Sequence, residues 1–324
     1  MSEYNFTTDS ELLQLVDSRD QKVIDWDKKK LMSLELADSY LRLLKDNKLD
    51  CFWKYNMLKD CGSYLVFKRF QDNSKKLHDA NFCRVRLCPM CAWRRSFKIF
   101  GQVSKVIDYL SLNHEVNYLF GTFTIKNCHI DDLSSTIDHL LYSWKKLTKQ
   151  YRFKSVVSGT FRALEVTYNK NTDEWHPHLH VILSVEKSYF SNSYISQNLW
   201  SKMWQTALKV DYMPIVDIRK LKTLKGVSEA SKYSVKGSDY LYDDEVLTDK
   251  LVMYLDSALA GRRFAAFSGG FRAAHKILNL DDMESGDLIH IDPEEINEKV
   301  DYILERYEWF AGFNNYYKVS EIEE

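Results

Sequence analysis

Apolar positions recur along the chain in two periods, and the places where the period changes mark its elements. Leu31, Leu34, Ala37, Leu41 and Leu44 fall three or four residues apart, which predicts an amphipathic helix over 28–46. Between 51 and 98, aromatic, cysteine and basic residues mix without a clean period, as expected of a small module organised by something other than its own core. From Asn117 the period becomes two: Tyr118, Phe120, Thr122 and Thr124 alternate as strand residues do. Leu133, Ile137, Leu140, Leu141, Trp144 and Leu147 then form one helical stripe, whose start Asp131 or Asp132 can cap. Two runs of strand character, 160–168 and 175–183, flank a polar turn at 169–174 suited to a hairpin. A helix over 194–208 and a short strand over 215–218 follow.

The order β-α-β-β-α-β predicts an α+β fold, a ferredoxin-like antiparallel sheet with helices on one face. Beyond it, helices are expected over 227–241 and 246–259, then a glycine-containing loop over 260–271. Asp292-Pro293-Glu294-Glu295 reads as a helix start before Ile296, Val300, Ile303, Leu304 and Tyr307 at helical spacing. The chain thus divides into a helical N-terminal segment (1–50), a Cys-rich module (51–110), a sheet domain (111–262) and an acidic helical C-terminal region (263–324). With 324 residues and 45% hydrophobic side chains it can bury a full core. No stretch approaches the roughly 18 apolar residues that span a bilayer, and 1–10 is polar, so a soluble, unexported, cytoplasmic protein without membrane contact is expected.

The formal charge of −1 argues against a nucleic-acid partner only if charge is evenly spread. Beyond residue 280 there are 14 acidic and 3 basic residues, which leaves a net +10 on the first 280. The basic residues cluster: Arg84, Arg86, Arg94, Arg95 and Lys98; Lys145, Lys146, Lys149, Arg152 and Lys154; Arg219, Lys220, Lys222 and Lys225. Such clusters suit phosphate contact, although any one of them also fits a solvated helix face.

Three histidines stand on alternate positions in Trp175-His176-Pro177-His178-Leu179-His180. On a strand, His178 and His180 share a face while Leu179, Val181 and Leu183 point the other way, and two neighbouring imidazoles make a metal site. Glu165, on the preceding strand of the hairpin, can add a carboxylate that favours Mg²⁺ or Mn²⁺. Glu229 and Tyr233 are one helical turn apart, with Lys232 and Lys236 as nearby cations. A tyrosine oxygen needs such help to act as a nucleophile. Among 20 tyrosines this pair is a weak signal alone, and Tyr240 lies on the same face. With no export signal, the six cysteines point to metal rather than disulfides. Cys61, Cys83, Cys88 and Cys91 provide four thiols for a structural Zn²⁺ site, in which His78 can replace one; the alternative is buried free cysteine. Arg84, Arg86, Arg94 and Arg95 then suggest that the module contacts DNA, and Cys51 and Cys128, lacking partners, are structural.

In this order, Phe120-Gly121-Thr122-Phe123-Thr124, the run from His176 to Leu183 and the Glu229–Tyr233 pair resemble the three motifs of HUH endonucleases. The Cys83 to Arg95 run and Glu229-x-x-Lys232-Tyr233 are similar to plasmid rolling-circle replication initiators of Gram-positive bacteria. Gly121 departs from that pattern, which usually has a large apolar residue there. The resemblance implies an HUH endonuclease domain over 111–262 that binds the double-strand origin, single-stranded at the nick site. It implies a divalent ion on His178, His180 and Glu165, attack by Tyr233 to give a 5′-phosphotyrosine and a 3′-hydroxyl primer, and hydrolysis at termination assisted by Glu229. A host helicase, a DNA polymerase and a second copy of the chain are the implied partners. Two other classes compete. A non-haem iron oxygenase would use two histidines and a carboxylate but leaves the Glu229–Tyr233 pair and the basic body without a role. A zinc-dependent, non-catalytic DNA-binding regulator explains Cys61 to Arg95 but not His178 and His180.

Overall fold

The computed structural model describes residues 13–19, 22–221, 224–231, 235–291 and 302–323. A minimal strand pair, β1 Ser18–Arg19 and β2 Lys22–Val23, precedes α1 Trp26–Lys45, α2 Phe52–Asp60, β3 Tyr64–Phe70, β4 Lys75–Ala80 and the long α3 Pro89–Asn113. Then come β5 Val116–Thr124, α4 Leu133–Leu147, α5 Tyr151–Lys154, β6 Val157–Asn169, β7 Glu174–Glu186, α6 Tyr189–Asn192 and α7 Gln197–Leu208. The rest is β8 Val216–Lys220, α8 Leu224–Ala230, α9 Glu245–Leu259, β9 Ala265–Gly269, α10 Gly270–Ile277, β10 Tyr302–Phe310 and β11 Asn315–Glu323.

The central sheet has the order β8-β5-β7-β6-β9, with every pairing antiparallel. Its first four strands carry the arrangement that the element order predicts. Leu119, Phe123, Leu164, Leu179, Val181 and Leu183 point to one face, where Ile137, Leu140 and Trp144 of α4 and Trp200 and Trp204 of α7 cover them. Each such side chain stabilises the fold by about 1.5–3 kcal/mol when fully buried. The opposite face is also covered in part. Phe120, Phe161, Ala163 and Ile182 pack there on Ile99, Val103 and Val106 of α3, Val227 and Ala230 of α8, and Phe271 of α10. Gly121 has its physical reason on the first face: a Cβ there would lie 2.6 Å from Ile218 and 2.9 Å from Val181. The strands approach too closely for a larger residue.

A second antiparallel sheet, β11-β10-β3-β4, joins the C-terminus to the Cys-rich region. This corrects the helix expected around Ile303, Leu304 and Tyr307, which lie on β10 between β3 and β11; Ile296 and Val300 are outside the described residues. Pairing with a strand more than 200 residues away overrides the local spacing. Charge follows the same logic. Glu305 is buried among Arg69, Lys75 and Lys318, so part of the acidic tail neutralises a basic sheet. Burial pushes its carboxyl up, but hydrogen bonds from Tyr307 and Arg69 and the Lys75 charge prevail and bring it down to about 2.

Three smaller expectations also change. Helix α8 ends at Ala230 and a 3₁₀ turn occupies Gly237–Asp239, so no single helix spans 227–241. The loop over 260–271 contains β9, which extends the sheet beside β6. Neither Asp131 nor Asp132 caps α4 with its side chain; a 3₁₀ turn, Ile130–Asp132, leads into the helix instead. Among the described residues no helix is long and apolar enough to cross a membrane.

Candidate active site and metal centres

The alternation of β7 places His178 and His180 on the face that α4 and α7 leave open, and register sets Glu165 of β6 directly opposite His178. The Nε2 atoms of the two rings are 3.2 Å apart, and Glu165 Oε2 lies 2.8 Å from His180 Nε2 and 3.3 Å from His178 Nε2. All three side chains are buried. Burial pushes the Glu165 carboxyl up, yet hydrogen bonds and charge from the two imidazoles outweigh it and hold the group well below the usual carboxylate range.

The rings are held from behind. His178 Nδ1 is 3.1 Å from the His176 carbonyl, which can only accept, so that nitrogen carries a proton and Nε2 is the atom that would present a lone pair to a bound ion. His180 Nδ1 is 3.2 Å from the Thr122 hydroxyl. Three electron-pair donors therefore converge within 4.8 Å of one another, an arrangement that a shared cation relieves. The donor set fits a divalent ion. His176, the third histidine, is set apart: its Nδ1 is 2.7 Å from Asn127 Oδ1 and its ring stacks on His178.

Further charged side chains lie around the triad. Lys236 Nζ is 3.7 Å from Glu165 Oε1, and the Lys236 backbone N–H donates to Asp239. Asp239 has its carboxyl pushed up, first by burial. Arg219, opposite Phe120 on β8, donates to Glu229 Oε2 at 3.1 Å. Phe120 in turn stacks on His180 at a centroid distance of 5.5 Å. Lys232 and Tyr233 lie outside the described residues. Thr122 and Asn127 are residues that sequence reasoning missed here, and it placed Arg219 only in a basic cluster. For Thr122 a signal existed, since period two on β5 puts it on the same face as its register partner His180.

The second centre lies between α2, β3 and the start of α3. Cys61 Sγ is 3.6 Å from both Cys88 Sγ and Cys91 Sγ, and Cys83 Sγ is 3.6 Å from Cys91 Sγ. Two tight turns present the first pair of thiols: Gly62 has φ +61° and Arg84 has φ +58°, the latter an uncommon conformation for a residue with a side chain. Backbone N–H groups of Cys83 and Arg84 point at Cys61 and Cys91 sulfurs, and Ser33 Oγ is 3.4 Å from Cys88 Sγ. Burial opposes ionisation of Cys88, but hydrogen bonds from the other three thiols prevail and pull it well below the usual thiol range. Lys30, fully buried one turn before Ser33, donates to the carbonyls of Lys59 and Cys61. Four soft donors with no open side fit a structural zinc ion. His78 packs on His290 outside this group, and Cys51 and Cys128 are apart from it.

The arginines of this region separate by burial. Arg94 is 2% exposed and donates to the carbonyls of Leu288 and Ile289. Arg84, Arg86 and Arg95 instead line an open groove with Arg263 and Phe264. The acidic segment after α10 crosses this cluster, with Asp281 on Lys98, Asp282 on Arg263 and Glu284 near Arg86.

The family model described as "Replication protein" matches residues 74–317. A protein rep of Bacillus amyloliquefaciens is 38% identical over 316 residues, covering 90% of this chain and 93% of that one. A protein rep of Streptococcus pneumoniae serotype 2 is 35% identical over 304 residues, 90% of this chain and 91% of that one. One from Lactiplantibacillus plantarum is 33% identical over 291 residues, 86% and 89% of the two chains. No solved structure matches the chain.

Proposed function

The chain belongs to the replication protein family, and from that premise we propose that it is a plasmid replication initiator that nicks one strand of its origin with a tyrosine nucleophile. The observation that carries this reading is the convergence of His178 Nε2, His180 Nε2 and Glu165 Oε2 on one point beside the Arg219–Glu229 pair. A Mg²⁺ or Mn²⁺ ion held by those three residues would supply Lewis-acid polarisation of the scissile phosphate. Tyr233 Oη attacks the phosphorus, the P–O3′ bond breaks, and the proton lost by the phenol is balanced by the one gained by the 3′-oxygen. The products are a 5′-phosphotyrosine and a 3′-hydroxyl primer; no phosphodiester energy is lost, so strand rejoining needs no ATP. Lys232 and Lys236 stabilise the developing charge. At termination Glu229 takes a proton from the water that releases the tyrosyl ester.

The Cys61, Cys83, Cys88 and Cys91 centre, holding Zn²⁺, braces the basic face that meets the DNA backbone. Arg84, Arg86 and Arg95 make those phosphate contacts; buried Arg94, next to Arg95 on α3, is structural. Helicase and polymerase of the host act on the strand so opened. Replacement Tyr233→Phe is expected to abolish both nicking and the covalent protein–DNA adduct on a single-stranded origin oligonucleotide, with binding to the origin retained. An adduct formed by the variant would remove Tyr233 from the mechanism.

A further inference from the structure

Glu229 is not a free carboxylate beside the site. It sits on α8, which Val227 and Ala230 anchor under α3 on the metal-binding face of the sheet. Arg219 reaches it from the edge strand β8, with a guanidinium nitrogen 3.1 Å from Oε2. The same guanidinium lies 4.8 Å over the Phe120 ring, which also stacks on the His180 ring. A continuous line thus runs from Glu229 through Arg219 and Phe120 to a ligand of the candidate ion. Arg219 is also about half exposed, so a packing role alone does not account for it. A planar guanidinium suits this position because it can stack on an aromatic ring and hold a carboxylate with its edge at the same time. Lysine cannot do both.

We infer that Arg219 is the positioning residue of the terminating step: it holds Glu229 at a fixed place relative to the metal-binding face, so that water rather than a second strand resolves the tyrosyl ester. In that step a water oxygen forms a bond to phosphorus while its proton passes to Glu229. The bond between phosphorus and the tyrosine oxygen breaks, and the tyrosine oxygen regains a proton. The inference rests on the roles proposed above for Tyr233 and Glu229.

The test uses the full-length protein with Mn²⁺ and a single-stranded origin oligonucleotide, followed by a second oligonucleotide as strand acceptor. Adduct formation, strand-transfer product and hydrolysed product are measured in the same reaction. Arg219→Ala is expected to lower the ratio of hydrolysed to transferred product about tenfold or more, a loss of the size general-base mispositioning produces. Glu229→Gln is expected to do the same, and the double variant to lose no more than either single one, because the two residues act as one unit. Arg219→Lys, which keeps the charge but not the fork, is expected to fall in between. An unchanged ratio in Arg219→Ala, or losses that multiply in the double variant, would overturn the inference while leaving the nuclease reading intact. A variant that melts like the parent but forms no adduct would also overturn it, by placing Arg219 in the first step. Absence of any adduct with the unaltered chain would instead defeat the underlying reading of Tyr233.

Discussion

The two donor clusters of this chain answer opposite questions. At the cysteine centre, ligands come from the end of α2, the loop before α3 and the first turn of α3, and all four sulfurs are buried. Peptide N–H groups and the Ser33 hydroxyl surround them, so no side is left for a substrate. At the histidine centre, the three candidate ligands lie on two adjacent strands and, among the described residues, no fourth His, Cys, Asp or Glu joins the group. Charged side chains that can meet a phosphate, Lys236 and Arg219, stand beside it. A closed sulfur shell stores folding energy in the metal, whereas an incomplete nitrogen and oxygen shell leaves a position for chemistry.

The most forceful way to break that contrast is to strip the closed site. Structural zinc contributes an apparent free energy of about 10–16 kcal/mol, as much as a typical domain's whole stability. Cys61 precedes β3, and Cys88 opens the helix whose Ile99 and Val103 pack on the central sheet. Tyr316 also donates its hydroxyl to the Gly62 carbonyl, tying the C-terminal hairpin to the same knuckle. Cys88→Ser is therefore expected to lose zinc, measured by elemental analysis, and to lose cooperative thermal unfolding. A zinc-free protein that melts as before would erase the distinction.

The two centres were also unequally legible in the amino-acid sequence. Alternation alone located His178 and His180 and put Leu179, Val181 and Leu183 in the core, because a strand's period is local information. Four spaced cysteines were enough to pick out the thiols that the fold brings together. What failed was whatever depends on distant partners. Ile303, Leu304 and Tyr307 mimic a helix until β3 supplies a pairing edge, and Glu305 is one acid among many in the tail until Arg69, Lys75 and Lys318 surround it. Arg94 and Arg95 are neighbours with equal charge, yet one is buried against backbone carbonyls and the other lines a groove; only packing separates them. Arg219 looked like one cation of a cluster because the ring beneath it, Phe120, is about a hundred residues earlier on β5.

At the open site the expected losses concern chemistry, not folding. His180→Ala removes one of three ligands but leaves Phe120, Leu179 and Val181 in place, so the melting temperature should move by only the few degrees of a ~1 kcal/mol change. Nicking of an origin oligonucleotide should disappear, and Mn²⁺ should no longer be retained, while zinc stays at one equivalent per chain. Unfolding of His180→Ala as severe as that of Cys88→Ser would make both centres structural.

The finest cut is between a ligand and the group that aims it. Thr122 touches no candidate ion; its hydroxyl lies 3.2 Å from His180 Nδ1 and can fix which ring nitrogen carries the proton. Thr122→Val keeps the shape and β-branching that β5 requires while deleting that partner. Loss of such a support typically costs about 10–100-fold in metal affinity or activity. The half-saturating Mn²⁺ concentration for nicking should rise accordingly, the rate should recover at high Mn²⁺, and Thr122→Ser should restore the original value. The closed site predicts the opposite for its own hydroxyl. With four thiolates already enclosing the ion, Ser33→Ala should leave zinc stoichiometry unchanged, since Ser33 assists a shell that is complete without it. If Thr122→Val left the Mn²⁺ dependence where it was, His180 would be held by packing on Phe120 alone, and the open site would lose its proposed dependence on a second layer.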